Sequence, residues 1–68
     1  AEFIPKEDSK ITQKPVYELG LPQGMTIGGL VRNGVGMLVS GNTQIMAGDT
    51  VMVFCHNINM KKIEKFFI

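Results

Sequence analysis

The side chains that could do chemistry are few and lie apart along the chain. Arg32 and Asn33 are adjacent, Asp49 follows a glycine, and Cys55 precedes His56. The planar guanidinium of an arginine pairs with phosphate oxygens and stacks on a base. Arg32 is therefore a candidate contact for an anionic ligand. The alternative is that Arg32 extends into solvent or meets a carboxylate such as Asp49.

The other reactive side chains predict neither catalysis nor a metal site. Cys55 and His56 are neighbours in a predicted strand, where adjacent side chains point to opposite faces, so they cannot act as nucleophile and base. His56 has no further ligand at a useful spacing for zinc. Asp49 is expected to accept backbone N–H groups in a turn. We expect a protein that is not an enzyme and holds no metal.

Residues 25–56 contain the elements that position these side chains. Apolar segments separated by Gly, Asn and Asp predict strands over 25–32, 36–39 and 50–55. Asn33-Gly34 predicts a two-residue hairpin turn, and 47–49 a turn into the last strand. Strict alternation would give the first strand two apolar faces, one carrying Met25, Ile27, Gly29 and Val31 and the other Thr26, Gly28, Leu30 and Arg32. Such a sheet needs a cover on both sides. We expect one cover to be a helix of this chain and the other to be a second copy or a neighbouring domain.

The two ends of the chain are expected to support the sheet. Phe3 anchors a short strand that Pro5 closes, and Pro15 begins a short helix that Gly20 ends. Asn57 is the predicted cap of a helix over 58–67, whose apolar stripe covers one face. The predicted fold class is therefore α+β, a small mostly antiparallel sheet with a short N-terminal helix and a C-terminal helix.

Size and composition limit the possible functions. The chain has 68 residues, and its net charge of +1 does not favour binding to nucleic acid or to an anionic membrane surface. No apolar run approaches the roughly 20 residues that a membrane-spanning helix needs. A single cysteine suits a reducing, cytoplasmic setting. Because the sequence does not begin with Met, we expect residues 1–68 to be a single domain of a longer protein. A domain this small is expected to gain stability by oligomerisation.

Five motifs, taken in order, resemble the TrkA C-terminal domain, also called RCK-C (regulator of potassium conductance, C-terminal). They are E-F at 2–3, Y-E-L-G-L-P at 17–22, I-G-G-L-V-R-N-G at 27–34, T-Q-I-M-A-G-D-T-V-M-V-F at 43–54 and K-I-E-K-F-F at 62–67. The resemblance implies a homodimer that follows a Rossmann (RCK-N or TrkA-N) domain in cytoplasmic subunits gating potassium channels and transporters. Such a subunit lies at the inner membrane through its parent protein or a transmembrane transporter subunit.

The resemblance also implies a ligand in the cleft between two copies. Cyclic di-adenosine monophosphate, or another small anionic effector, is the expected ligand class. Arg32 matches the family arginine and would meet an anionic group, and Asn33 would make a polar contact. The apolar floor is expected from Ile27, Gly28, Gly29 and Leu30. For the two glycines the alternative is a β-bulge or close packing against the C-terminal helix.

Two alternatives come from other functional classes. One is a purely structural homodimerisation domain without a ligand. The other is a biotinyl-like or other small β carrier or substrate domain of an enzyme, suggested by the G-D-x-V pattern at 48–51. A carrier needs a modifiable lysine at a hairpin tip, and Asn33-Gly34 occupies that position here, which counts against it.

Overall fold

The computed structural model describes residues 1–68, which form one antiparallel sheet covered on one side. The strands are β1 (Glu2–Phe3), β2 (Met25–Arg32), β3 (Val35–Leu38) and β4 (Thr50–Cys55), and the only α-helix is α1 (Met60–Glu64). The strand order is β1-β4-β2-β3, and every neighbouring pair is antiparallel. No helix has the length and apolar character needed to cross a membrane.

The predicted hairpin is present between β2 and β3. Asn33 and Gly34 have φ values of 52° and 78°, and Arg32 pairs with Val35 on either side of them. Positive φ at both central residues is the requirement of a type I′ turn, which asparagine and glycine accept most readily. The hairpin therefore follows from these two residues.

The prediction of strict alternation along β2 was wrong, because the strand contains a bulge. Ile27 pairs with Val53 and Gly29 pairs with Met52, so Gly28 is an extra residue. A single extra residue reverses the side-chain phase beyond it. Leu30 therefore lies on the same face as Ile27, rather than on the opposite one.

The core lies on one face of the sheet, called here the inner face. Strand residues on this face pack against α1, the residues just after α1, and two buried isoleucines from the connecting segments. The buried apolar residues are Ile11, Met25, Ile27, Leu30, Ile45, Val51, Val53, Ile63, Phe66 and Phe67. Phe3 of β1 stacks on Phe67 with ring centroids 4.7 Å apart, as its predicted anchoring role requires.

Both predicted helices are shorter than expected. The segment after Pro15 forms a single 3₁₀ turn, Val16–Glu18, instead of an α-helix, although Gly20 has the expected positive φ of 63°. α1 is capped by Asn59, whose side chain accepts a hydrogen bond from the Lys61 N–H, and not by Asn57. Asn57 has a φ of 52°, which is not the extended conformation that an N-cap residue adopts.

The other side of the sheet and its β3 edge have no cover within the chain. Leu38 is 91% exposed and Phe54 64% exposed. The exposed apolar residues on the uncovered side are Val31, Leu38, Met52 and Phe54, which we call the apolar sheet surface. Val35 and Met37 pair with Arg32 and Leu30, so they are exposed at the β3 edge on the inner-face side. Water is thus in contact with an unusually apolar set of strand side chains.

Candidate functional site

The register between β2 and β4 brings Arg32 to Asp49. Val31 pairs with Thr50, so Arg32 at the end of β2 lies beside the residue that precedes β4. The turn before β4 depends on Gly48, which has a φ of 88° and donates its N–H to the Pro5 carbonyl at 3.2 Å. The two charged side chains meet where the ladder ends.

Arg32 and Asp49 form a two-pronged ion pair. Arg32 Nε donates to Asp49 Oδ1 at 2.9 Å, and Nη2 donates to Oδ2 at 2.7 Å. Nη2 also donates to the Gln44 carbonyl at 3.1 Å, and Oδ2 accepts the Met46 N–H at 2.9 Å. The Asp49 side chain is only 3% exposed. Of the two predicted roles for Arg32, the contact with a carboxylate is present in this structure.

The pair shifts both protonation equilibria toward the charged forms. Hydrogen bonds from Arg32 lower the pKa of the Asp49 carboxyl, with the Met46 N–H adding to the effect and burial opposing it. The hydrogen bonds to Asp49 raise the pKa of Arg32 against the effect of burial. Asp49 is therefore a structural anion that holds the turn before β4 to the end of β2.

A cavity of about 270 Å³ opens beside this pair. Its lining consists of Arg32, Asn33, Met46, Ala47, Gly48 and Asp49. Arg32 Nη1 has no hydrogen-bond partner in the structure, so one guanidinium corner remains free to donate. The cavity is smaller than the roughly 300–1,000 Å³ of most ligand pockets, and its two charges cancel. It can accept one polar or anionic group, not a whole dinucleotide.

The six predicted ligand residues do not form one surface. Arg32 and Asn33 both line the cavity, but the side chains of Ile27 and Leu30 are 8% and 2% exposed and belong to the core. Leu30 lies in the core because the bulge returns its side chain to the inner face.

Gly28 and Gly29 lie on the uncovered side of the sheet. A Cβ atom on Gly28 would lie 2.5 Å from Phe54 Cε2, so the aromatic ring occupies the space above this glycine. The glycine pair accommodates the bulge and the Phe54 ring, and it does not contribute to the cavity.

Sequence reasoning missed three lining residues, Met46, Ala47 and Gly48. The G-D turn was recognised as a turn, but nothing local in its sequence shows that it folds against the hairpin. The signal lies in the β2–β4 register, which places the residue after Val31 beside the residue before Thr50.

Comparison with known proteins identifies a family and a related protein. The family model of the TrkA-C domain matches residues 1–68. The chain is 39% identical over 61 residues to the Trk system potassium uptake protein TrkA of Azorhizobium caulinodans. This alignment covers 90% of the chain and 13% of that relative, so the chain spans a small part of the relative's length.

Proposed function

Because the chain belongs to the TrkA-C domain family, we propose that it is a non-enzymatic regulatory domain of a potassium uptake system. It acts as a homodimer joined through its sheet and binds a small anionic effector. Residues 1–68 are one domain of a longer protein that also carries a Rossmann domain or contacts a transmembrane transporter subunit. The domain works in the cytoplasm and reaches the inner membrane only through that parent.

The apolar sheet surface is the observation that supports a second copy. Its four side chains lie on one side of adjacent strands, and the most exposed, Leu38 and Phe54, are 91% and 64% exposed. Apolar side chains gathered on an exposed face mark interaction sites in soluble proteins. A 68-residue domain also has little core of its own, and association removes additional apolar area from water.

The cavity beside Arg32 supports an effector that carries an anionic group. Arg32 Nη1 is free, and Asn33 lines the same cavity. A cavity of about 270 Å³ holds only part of a molecule such as cyclic di-adenosine monophosphate. A second copy would supply the remaining contacts, so effector binding and dimer geometry are coupled.

Regulation follows from that coupling. An effector that contacts both copies favours the relative arrangement in which both contacts are made. The parent protein passes this preference to the transporter. The shift is limited by the difference in affinity of the effector for the two arrangements.

A structural homodimerisation domain without a ligand is the second candidate. The observation that favours it is the ion pair, because Asp49 already satisfies two nitrogens of Arg32 and neutralises its charge. In this alternative, Arg32 only stabilises the turn before β4.

Light scattering over a dilution series, with and without cyclic di-adenosine monophosphate, separates these functions. We expect the measured mass to fall from that of a dimer toward that of a monomer on dilution. The effector should shift this fall to lower protein concentration. At fixed protein concentration, effector at about 100 times its dissociation constant should add roughly 2.7 kcal/mol of stability, several degrees of melting temperature. A dimer that does not respond supports the structural alternative, and monomer mass at every concentration contradicts both.

The effector site is tested with Asn33→Gly, because a type I′ turn accepts glycine at this position. Arg32→Ala is a poorer test, since it leaves the buried Asp49 carboxylate without its main partner. Asn42→Gly, in an exposed turn outside the cavity lining, is the matched control. We expect only Asn33→Gly to reduce the effector-induced shift, and equal shifts in the two variants would exclude Asn33 as a contact.

A further inference from the structure

The edge of β3 presents a row of backbone groups without partners. A Cβ atom on Gly29 would lie 3.0 Å from the Met37 carbonyl oxygen, so the Met37 peptide points toward β2. Along a strand in an antiparallel pair, the N–H and C=O groups of successive residues point alternately toward the neighbouring strand and away from it. The N–H and C=O groups of Gly36 and Leu38 therefore point away from β2, at the open edge of the sheet.

This edge lacks the features that keep natural edge strands apart. Residues 33–48 contain no charged side chain and no proline. Every residue of β3 is exposed, and Val35 and Leu38 are 61% and 91% exposed. An uncharged apolar edge strand with free peptide groups is a template for another strand.

The sequence of β3 is suited to pairing with a second copy of itself. We propose that two copies join by antiparallel pairing of their β3 strands about a two-fold axis at Met37, which deepens and rests on the homodimer proposed above. Each Gly36 then lies opposite the partner's Leu38, and the two exchange N–H···O=C bonds in both directions. The four-stranded sheets of two copies become one continuous sheet.

This register covers the side chains that the single chain leaves in water. The Leu38 side chain lies beside the partner's Gly36, where the missing side chain leaves room for it. Met37 meets the partner's Met37, and Val35 meets the partner's Val39. No like charges come together, because residues 33–48 are all uncharged. A foreign peptide would gain the same backbone bonds but not this reciprocal fit.

Disulfide trapping tests the register in a Cys55→Ser background, which removes the exposed native thiol. Cα atoms of a non-hydrogen-bonded antiparallel pair are about 4.5 Å apart, within the range of a disulfide. We expect Met37→Cys to form covalent dimers on mild oxidation. Val35→Cys is the matched control, because two copies of residue 35 would be about 14 Å apart along the strands.

A mixture of Gly36→Cys and Leu38→Cys chains provides a second measurement that leaves Met37 intact. Both positions are exposed, and a Cβ atom on Gly36 would meet nothing within 4 Å. We expect the mixture to cross-link much faster than either variant alone, because these residues are direct partners only across the two chains.

Light scattering on the same proteins separates the two proposals. Dimer mass with cross-linking at position 37 and not at 35 supports β3 pairing. β3 pairing is overturned if the mass is that of a dimer but neither Met37→Cys nor the mixture of Gly36→Cys and Leu38→Cys cross-links preferentially. That outcome leaves the proposed homodimer intact. Monomer mass at all concentrations with no cross-linking overturns both.

Discussion

At the scale of single residues, the structure depends most on Asp49. Its carboxylate is nearly inaccessible to water, accepts from Arg32 through both oxygens and accepts the Met46 N–H. A carboxylate in this setting can lose neither its charge nor its partner without cost. Arg32 therefore has a structural role with Asp49 that is distinct from any contact with a ligand.

Asp49→Asn should lower the melting temperature at neutral pH, with an effect that disappears in acid. The folded-state pKa of Asp49 is lowered by Arg32, so its contribution to stability is complete above the unfolded-state pKa of about 3.9. That contribution is lost as pH falls through the lower folded-state pKa. Melting curves from pH 7 to pH 2 should therefore converge for wild type and variant.

Asp8→Asn is the control for this pH series. Asp8 is exposed, has a positive φ of 64° that asparagine tolerates, and makes no ion pair. It removes the same formal charge without disturbing the site. If the difference in melting temperature between wild type and Asp49→Asn stays constant down to pH 2, the charged carboxylate does not have the stabilising role described here.

At the scale of elements, α1 shows how a predicted helix can be right in position and wrong in length. The apolar residues of the predicted stripe that enter the core are Ile63, Phe66 and Phe67, but regular α-helix is confined to Met60–Glu64. The stripe was recognised because burial of apolar residues leaves a periodic pattern. The cap was assigned wrongly, because Asn57 and Asn59 both suit a helix start by residue type, and only the backbone distinguishes them.

Asn59→Ala should destabilise the domain by about 1 kcal/mol, because it removes the side chain that accepts the Lys61 N–H. For a domain this small, that is about 4–8 °C of melting temperature. Asn57→Gly is the control, because glycine readily adopts the positive φ of residue 57. If Asn57→Gly were the more harmful change, the helix would begin at the earlier asparagine in solution.

At the scale of the whole molecule, the sheet is covered on one side only. The inner face carries the core, while the apolar sheet surface remains in water. The expectation of two covered faces came from strict alternation, which the bulge at Gly28 overturned for β2. An exposed apolar surface nevertheless exists, because Met52 and Phe54 of β4 and Leu38 of β3 face away from the core.

Leu38→Lys should weaken self-association while leaving the fold of each copy unchanged. Leu38 is 91% exposed, so the stability of the monomer should change by no more than about 0.5 kcal/mol. In the β3-paired dimer the new ammonium group would lie at the contact, where a charge loses hydration. The dependence of melting temperature on protein concentration, measured from micromolar to millimolar, should become shallower.

Thr26→Lys adds the same charge to β2 at a position that has no β3 partner, and is the matched control. It should keep the concentration dependence of wild type. Equal loss of this dependence in both variants would indicate that charge on the exposed side of the sheet matters, rather than contact at the β3 edge.

The sequence by itself determined the features that depend on neighbouring residues and on order along the chain. Asn33-Gly34 specified the hairpin because their φ preferences are local, and the motifs in order identified the TrkA-C family. The antiparallel sheet and the position of α1 followed from turns and apolar periodicity.

Only the tertiary structure decided which side chains meet across the sheet. The bulge placed Leu30 in the core, and the β2–β4 register brought Arg32 to Asp49, 17 residues away along the chain. Neither contact is encoded locally, because one extra residue in a strand changes the face of every side chain beyond it. The chemistry of Arg32 and the apolar surface left in water thus depended on strand register, which forms only when the whole sheet assembles.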